Sequence, residues 1–341
     1  MIHTNEFNAE EKILNYIDKL NYFFNIDKTL IVTELDLTNH CNNRCPTCVG
    51  KNEIKDELTW DEIQSITKSL NALNNQGVIL SGGGEPLLHP YFKETVKLIK
   101  SYGMKIGVNS NCLALDKEKA VAIAENCEYF RISLDAGDAN LYRKTHGMDE
   151  SNFQRVVSNI HMMAKVKQEI NSNLSLGTGF LTSEETVSQM DEFVKLSKKC
   201  SVHFAQFRPF QEDMTDITEK YNQIKAKYQD DNFKVLASLQ KYSNFGKGRR
   251  KTYDKCRGMF FSTVITANAR VYACLHHRQN DDYLIGDMRQ GKTLDQIWNS
   301  YMKWYRYDTI DVQKCPSFCR NDSTNNILFN LSKKVIHKEF L

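Results

Sequence analysis

Residues 30–48 read Leu30-Ile31-Val32-Thr33-Glu34-Leu35-Asp36-Leu37-Thr38-Asn39-His40-Cys41-Asn42-Asn43-Arg44-Cys45-Pro46-Thr47-Cys48. The first eight are rich in β-branched and apolar side chains, which predicts a strand over Leu30–Leu37. Cys41, Cys45 and Cys48 then crowd into the loop that follows it. Three thiolates this close can wrap one face of a compact metal centre. A tetrahedral zinc site needs a fourth protein ligand, for which His40 is adjacent but awkwardly placed. A 4Fe-4S cluster takes a thiolate on each iron, so three cysteines leave one iron open.

Downstream of this loop, strand and helix patterns alternate. Further strands are expected at Val78–Ser81, Lys105–Asn109, Tyr129–Leu134, Leu174–Phe180 and Val202–Phe207. Helices are expected near Thr59–Leu73, Pro90–Tyr102, Asp116–Asn126, Ser151–Ile170 and Ser183–Lys198. Thr59 with Glu62, and Ser151 with Gln154, have the spacing of a capping box. Strands alternating with helices imply a parallel sheet with right-handed crossovers. Six units over about 180 residues suit a partial (β/α)6 TIM-like barrel, whose loops after the strands carry its chemistry.

The chain has 341 residues, enough for about two domains. Its net charge of +3 is too small for a general attraction to nucleic acid or a membrane surface. No apolar run approaches the roughly 20 residues that span a bilayer, and the polar, acidic start is unlike a signal peptide. The expected compartment is the reducing cytoplasm, where ten cysteines read as metal ligands before disulfides.

The order of motifs resembles the radical S-adenosylmethionine (SAM) superfamily, with its C-x3-C-x2-C loop after the first strand. Ser81-Gly82-Gly83-Gly84-Glu85-Pro86 ends the second strand and is similar to the family's GGEP turn. The resemblance covers about residues 30–209. It implies that Cys41, Cys45 and Cys48 hold a 4Fe-4S cluster, and that SAM chelates the open iron. One electron then breaks the sulfonium bond, and a 5′-deoxyadenosyl radical abstracts a substrate hydrogen. It places Gly83, Gly84 and Glu85 at the SAM amino group, with the Glu85 carboxylate as a possible acceptor. Ser133 and Arg143 are placed at the SAM carboxylate, and Asn109 and Asp135 at the ribose. A reductant such as flavodoxin or ferredoxin is implied.

From Cys256 the pattern changes. Phe260–Thr266 and Arg270–Cys274 flank Ala267-Asn268-Ala269 and read as a hairpin, with a helix near Leu294–Trp304 after it. Cys256, Cys274, Cys315 and Cys319 supply four thiols, enough for one 4Fe-4S cluster or one zinc site. With Ile285-Gly286-Asp287 and Gln296-Ile297-Trp298 between them, they resemble the SPASM/twitch extensions of radical SAM enzymes. That resemblance implies a second, auxiliary 4Fe-4S cluster. Ala269 stands where those hairpins usually carry glycine, and His276 and His277 lie nearby.

The expected organisation is an N-terminal helical extension (1–28), the barrel (29–210), a helical linker (211–255), a small C-terminal iron–sulfur module (256–325) and a tail (326–341). The expected function is hydrogen abstraction from a polar small molecule, such as a sugar or aminocyclitol, for net oxidation or epimerisation. Modification of a ribosomal peptide is the alternative, and a zinc-binding regulatory protein the remote one. Cys112, next to the third strand's polar end, is the candidate hydrogen donor. Arg208 is a candidate contact for an anionic group. Tyr142 and His146 share a helix face and are candidates to line the pocket. The basic run Lys247–Lys251 reads as a solvated linker.

Overall fold

Val32–Asp36 forms β1, and its burial explains the sheet: every residue after Val32 is covered, as a strand packed on both faces requires. The computed structural model describes residues 13, 30–48, 50, 55–210, 213, 215–238, 242, 250–316 and 319–332. Among these, strands follow at Gly77–Ser81 (β2), Lys105–Ser110 (β3), Tyr129–Ser133 (β4), Ser175–Thr182 (β5), Phe204–Pro209 (β6), Lys234–Ala237 (β7), Ser262–Ile265 (β8), Arg270–Tyr272 (β9) and Leu284–Asp287 (β10). The helices are Trp60–Ala72 (α1), Phe92–Ser101 (α2), Lys117–Asn126 (α3), Ala139–His146 (α4), Glu150–Glu169 (α5), Met190–Lys199 (α6), Thr218–Tyr228 (α7), Leu294–Trp298 (α8), Tyr301–Thr309 (α9) and Asp322–Ser332 (α10).

One sheet holds all ten strands, in the order β10-β9-β8-β1-β2-β3-β4-β5-β6-β7. Strands β1 to β7 pair in parallel, and so do β1 and β8. In β2 and β4 the residues Val78, Leu80, Phe130 and Ile132 are fully covered, while Ile79, Ser81, Tyr129, Arg131 and Ser133 are half-buried. The covered set packs with the helices, and the half-buried set lines a lumen. Across the sheet, Glu34 on β1 feels the charge of Arg131 on β4. Strands β1 to β6 are the six units of the expected partial barrel.

Helix boundaries follow local chemistry. Thr59 Oγ1 accepts from Glu62 N–H, and Glu62 Oε2 accepts from Thr59 N–H at 2.8 Å, so the first capping box forms. The second does not. Asp149 caps α5 by accepting from Asn152 N–H at 3.0 Å, and Ser151 lies inside the helix. A carboxylate at a helix N-terminus gains from the dipole as well as the hydrogen bond.

Three expected boundaries shift. The segment 211–255 contains β7 as well as α7, and β7 adds a seventh parallel strand beside β6. Residue 325 falls inside α10, so the expected tail begins as part of a helix. The C-terminal hairpin β8–β9 is antiparallel, as expected, but it continues the barrel sheet through β1. Ala269 holds φ +58° at its turn, the left-handed conformation for which glycine is the usual choice. The 1–28 extension lies outside the described residues apart from Ile13, which is buried.

Candidate active site

The loop after β1 is fixed from three sides. Asn39 N–H donates to Asp56 O at 2.8 Å, Glu85 N–H to His40 O at 2.8 Å and Arg44 N–H to His146 O at 3.0 Å. On this loop Cys41 and Cys48 are exposed and Cys45 is half-buried. Their thiols lie within electrostatic reach of one another. Burial, then Cys48 and Cys41, push the Cys45 thiol up to about 12. Asn111 Nδ2 lies 3.8 Å from Cys41 Sγ and donates to Asn42 Oδ1 at 2.7 Å, tying the loop to the end of β3.

His146 is the residue that sequence reasoning placed only loosely. It is almost fully buried, and its Nε2 lies 3.0 Å from Leu134 O. A carbonyl only accepts, so Nε2 carries the proton and Nδ1 is an acceptor. Nδ1 faces Asn43 Nδ2 at 3.2 Å and Cys45 Sγ at 3.4 Å. The Tyr142 ring stacks obliquely on it at 4.5 Å. These two side chains therefore support the cysteine loop from behind.

The glycine turn after β2 meets the same loop. A Cβ on Gly84 would come within 2.7 Å of Thr38 O and Asn39 C and would overlap His40 O. Only a residue without a side chain lets the two backbones approach so closely. Glu85 lies beneath this turn. Its buried carboxylate already accepts from Ser110 Oγ at 2.7 Å, Asn111 N–H at 2.7 Å and Leu87 N–H at 3.0 Å. It fastens β3 to the turn, and three acceptances leave part of the carboxylate's capacity for a further donor.

Other expected contacts divide. Ser133 and Asn109 stand half-buried at the ends of β4 and β3. Asp135, in a left-handed conformation at φ +46°, spends Oδ1 on Leu181 N–H at 2.7 Å. Arg143 is exposed on α4, as Cys41 and Cys48 are on their loop. Arg131 and Arg208 face the lumen, and Arg131 was not among the expected residues. Its signal was the two-residue spacing from Ser133, which puts both on one strand face. Cys112, just past the end of β3, is wholly buried, and that burial holds its thiol pKa well above the usual range.

In the C-terminal segment, Cys256, Cys274 and Cys315 are partly covered and Cys319 is buried. Burial and then Cys256 push the Cys274 thiol up to about 12. The same two causes raise Cys315 to about 11. Cys319 feels Cys256 and Cys274. The four thiols thus share one locality. His277 is stacked flat on Tyr283, 3.9 Å between centroids.

Both thiol groups fit iron–sulfur ligation by donor chemistry: clustered protonated thiols release protons on binding iron. Among the described residues no three His, Cys, Asp or Glu side chains converge tightly enough for a single metal ion. A polynuclear cluster spreads its thiolates more widely than one ion does.

Residues 35–228, more than half of the chain, match the Radical SAM superfamily. The chain belongs to that superfamily. Residues 256–321 match SPASM, an iron–sulfur cluster-binding domain. The two matches imply a 4Fe-4S cluster with SAM in the barrel and auxiliary iron–sulfur ligation in the C-terminal module. Among curated radical SAM relatives, the GTP 3′,8-cyclase of Chlorobaculum tepidum is 24% identical over 287 residues, covering 77% of this chain and 84% of the cyclase. The mycofactocin maturase MftC of Mycobacterium ulcerans is 24% identical over 285 residues, covering 78% and 73%. In fold, the chain is similar to Streptococcus suis SuiB bound to its precursor peptide SuiA, with a TM-score of 0.66 at 13% identity, covering 88% of this chain and 71% of SuiB. No helix among the described residues is long and apolar enough to cross a membrane.

Proposed function

We propose that this radical SAM enzyme abstracts a hydrogen from a small polar substrate held in the barrel lumen, for net oxidation or epimerisation. The observation that carries the reading is the lumen wall, where Asn109, Tyr129, Arg131, Gln206 and Arg208 occupy inward strand positions. Such a wall offers hydrogen-bond donors and charge to a polar molecule and little to an apolar one. Cys41, Cys45 and Cys48 are the proposed ligands of the catalytic cluster. When bound, the cluster and SAM supply a 5′-deoxyadenosyl radical.

The chain's own residues then do the positioning. Glu85 holds β3 against the glycine turn, beside the cysteine loop. His146 and Asn43 fix Cys45 from behind. Ser133 and Asn109 offer a hydroxyl and an amide at the strand ends, suited to the SAM carboxylate and ribose. Cys256, Cys274, Cys315 and Cys319 are the proposed auxiliary ligands, and that site would accept an electron if the net reaction is an oxidation.

A second reading is peptide modification, the class of molecule to which the similarly folded SuiB is bound. Anaerobic incubation with SAM and dithionite separates the readings. 5′-Deoxyadenosine formation that rises with a polar small molecule supports the first, and a rise confined to peptides supports the second. Absence of any 5′-deoxyadenosine from the reconstituted enzyme would overturn both.

A further inference from the structure

The lumen contains a charge arrangement that the cysteines do not explain. Arg131 on β4 and Arg208 on β6 lie on one face, with Gly179 of β5 between them. A Cβ on Gly179 would sit 3.5 Å from Arg208 Nη2 and 3.7 Å from Arg131 Cδ. Arg131 Nη1 donates to Gln206 Oε1 at 2.9 Å. The Nε atoms of both arginines are covered and find no acceptor among the described residues.

Carboxylates that reach Arg131 electrostatically are engaged elsewhere. Asp135 accepts from Leu181 N–H, and Glu34 is paired with Arg278 and Arg320. Two neighbouring guanidinium groups therefore face the lumen with an unmet need for negative charge. Burial, then repulsion by Arg208, lower the Arg131 pKa to about 9. Such an arrangement costs folding stability, and a protein stabilised only by its own contacts would not place two like charges here.

The floor beneath the pair is aromatic. At Gly107 and Gly177 an added Cβ would overlap the rings of Tyr129 and Phe204, so these glycines let both rings lie across the lumen. A cup with an aromatic floor and two forked cations on one wall suits a molecule with an apolar or sugar-like body and a carboxylate or phosphate at one end.

We propose that Arg131 and Arg208, braced by Gln206, form the receptor for an anionic group of the substrate, either a carboxylate or a phosphate. The inference rests on the lumen being the substrate site and narrows the substrate class to acids and phosphate esters. The competing source of the same chemistry is the carboxylate of SAM itself.

Two measurements on the reconstituted holoenzyme separate the sources, and neither uses turnover. The first is the melting temperature with inorganic phosphate or acetate, against potassium chloride at matched ionic strength. The wild type should gain several degrees with one of the anions. Arg131→Met and Arg208→Met should abolish that gain and melt no lower than the wild type without ligand, because a like-charge contact is relieved. Arg208→Lys, which keeps charge but loses the fork, should retain part of the gain. The second is SAM affinity by calorimetry, expected within about twofold of wild type in both methionine variants. A tenfold loss of SAM affinity would reassign the pair to the SAM carboxylate. An anion gain absent from the wild type, or surviving both substitutions, would overturn the proposal, as would a lower ligand-free melting temperature in both variants. If no 5′-deoxyadenosine forms, the function above fails while this result still stands or falls separately.

Discussion

At the scale of single residues, Gly84 and His89 make opposite kinds of demand. Gly84 is needed for what it lacks. In Gly84→Ala the new methyl must push His40 O and Asn39 away, which forces the cysteine loop off the glycine turn. Overpacking of this kind costs about 1–3 kcal/mol. The expected result is a lower melting temperature and loss of measurable SAM binding by calorimetry; unchanged binding would show that the turn does not face SAM. His89 is needed for two hydrogen bonds. Its Nε2–H donates to Leu58 O at 2.9 Å, and its Nδ1 accepts from Tyr91 N–H at 3.2 Å. That pattern requires the neutral ring, and burial holds its pKa below the usual 6.5. The unfolded chain therefore binds this proton more readily than the folded one. The stabilisation is complete above about pH 6.5 and is lost as pH falls below it. Gln at this position can donate to Leu58 and accept from Tyr91 without titrating. Melting curves from pH 7.5 to 5.0 should fall less steeply for His89→Gln than for the wild type, and parallel curves would remove His89 as a source of acid sensitivity.

At the scale of elements, local signals carried the strands and helices, and long-range pairing hid the rest. Thr59 and Glu62 are three residues apart, so the start of α1 was readable before any fold was known. The strand β7 was not: Lys234–Ala237 is four residues long and follows a charged helix, too short for an alternating pattern to stand out. Nor was the device that joins the C-terminal module to the barrel. Arg278 lies 242 residues from Asp36, whose carboxylate it grips through Nη1 at 2.9 and 2.7 Å. Its Nη2 meets Glu34, and Arg320 reaches the other Glu34 oxygen at 3.5 Å. Each arginine sits close behind a proposed cluster cysteine, Cys274 and Cys319 respectively. Asp36 also accepts from Gly83 N–H in the glycine turn. One buried acidic pair on β1 thus links the auxiliary module to the SAM side of the barrel. Removing the cation leaves the carboxylates uncompensated, so Arg278→Met should destabilise by about 3–5 kcal/mol in urea unfolding. Adding Glu34→Gln and Asp36→Asn should recover much of that loss. A single variant as stable as the wild type would show that the network is not a structural tie.

At the scale of the whole molecule, two proposed iron–sulfur sites hang on one continuous sheet, and this has a thermal consequence. The cysteine loop leaves β1 directly, while Cys256 precedes β8 and Cys274 follows β9. Strand β8 is hydrogen-bonded to β1 over Val32–Leu35. The auxiliary module is therefore not an appended bead. Its folding energy, to which cluster binding contributes, is delivered into the first strand of the barrel. Anaerobically reconstituted wild type should carry about eight irons per chain if both sites hold 4Fe-4S clusters. The triple variant Cys256→Ala/Cys274→Ala/Cys319→Ala should carry about four and still bind SAM, since Cys41, Cys45 and Cys48 stand on a separate loop. Wild-type iron near four would remove the auxiliary cluster from the account. Calorimetric scans then test the coupling. If β8 transmits the loss to β1, the triple variant should unfold in one transition at a temperature lower than that of the wild type. Two separate transitions, with the upper one unshifted, would instead mean that the barrel folds without support from the module, and that the β1–β8 pairing is a contact rather than a coupling.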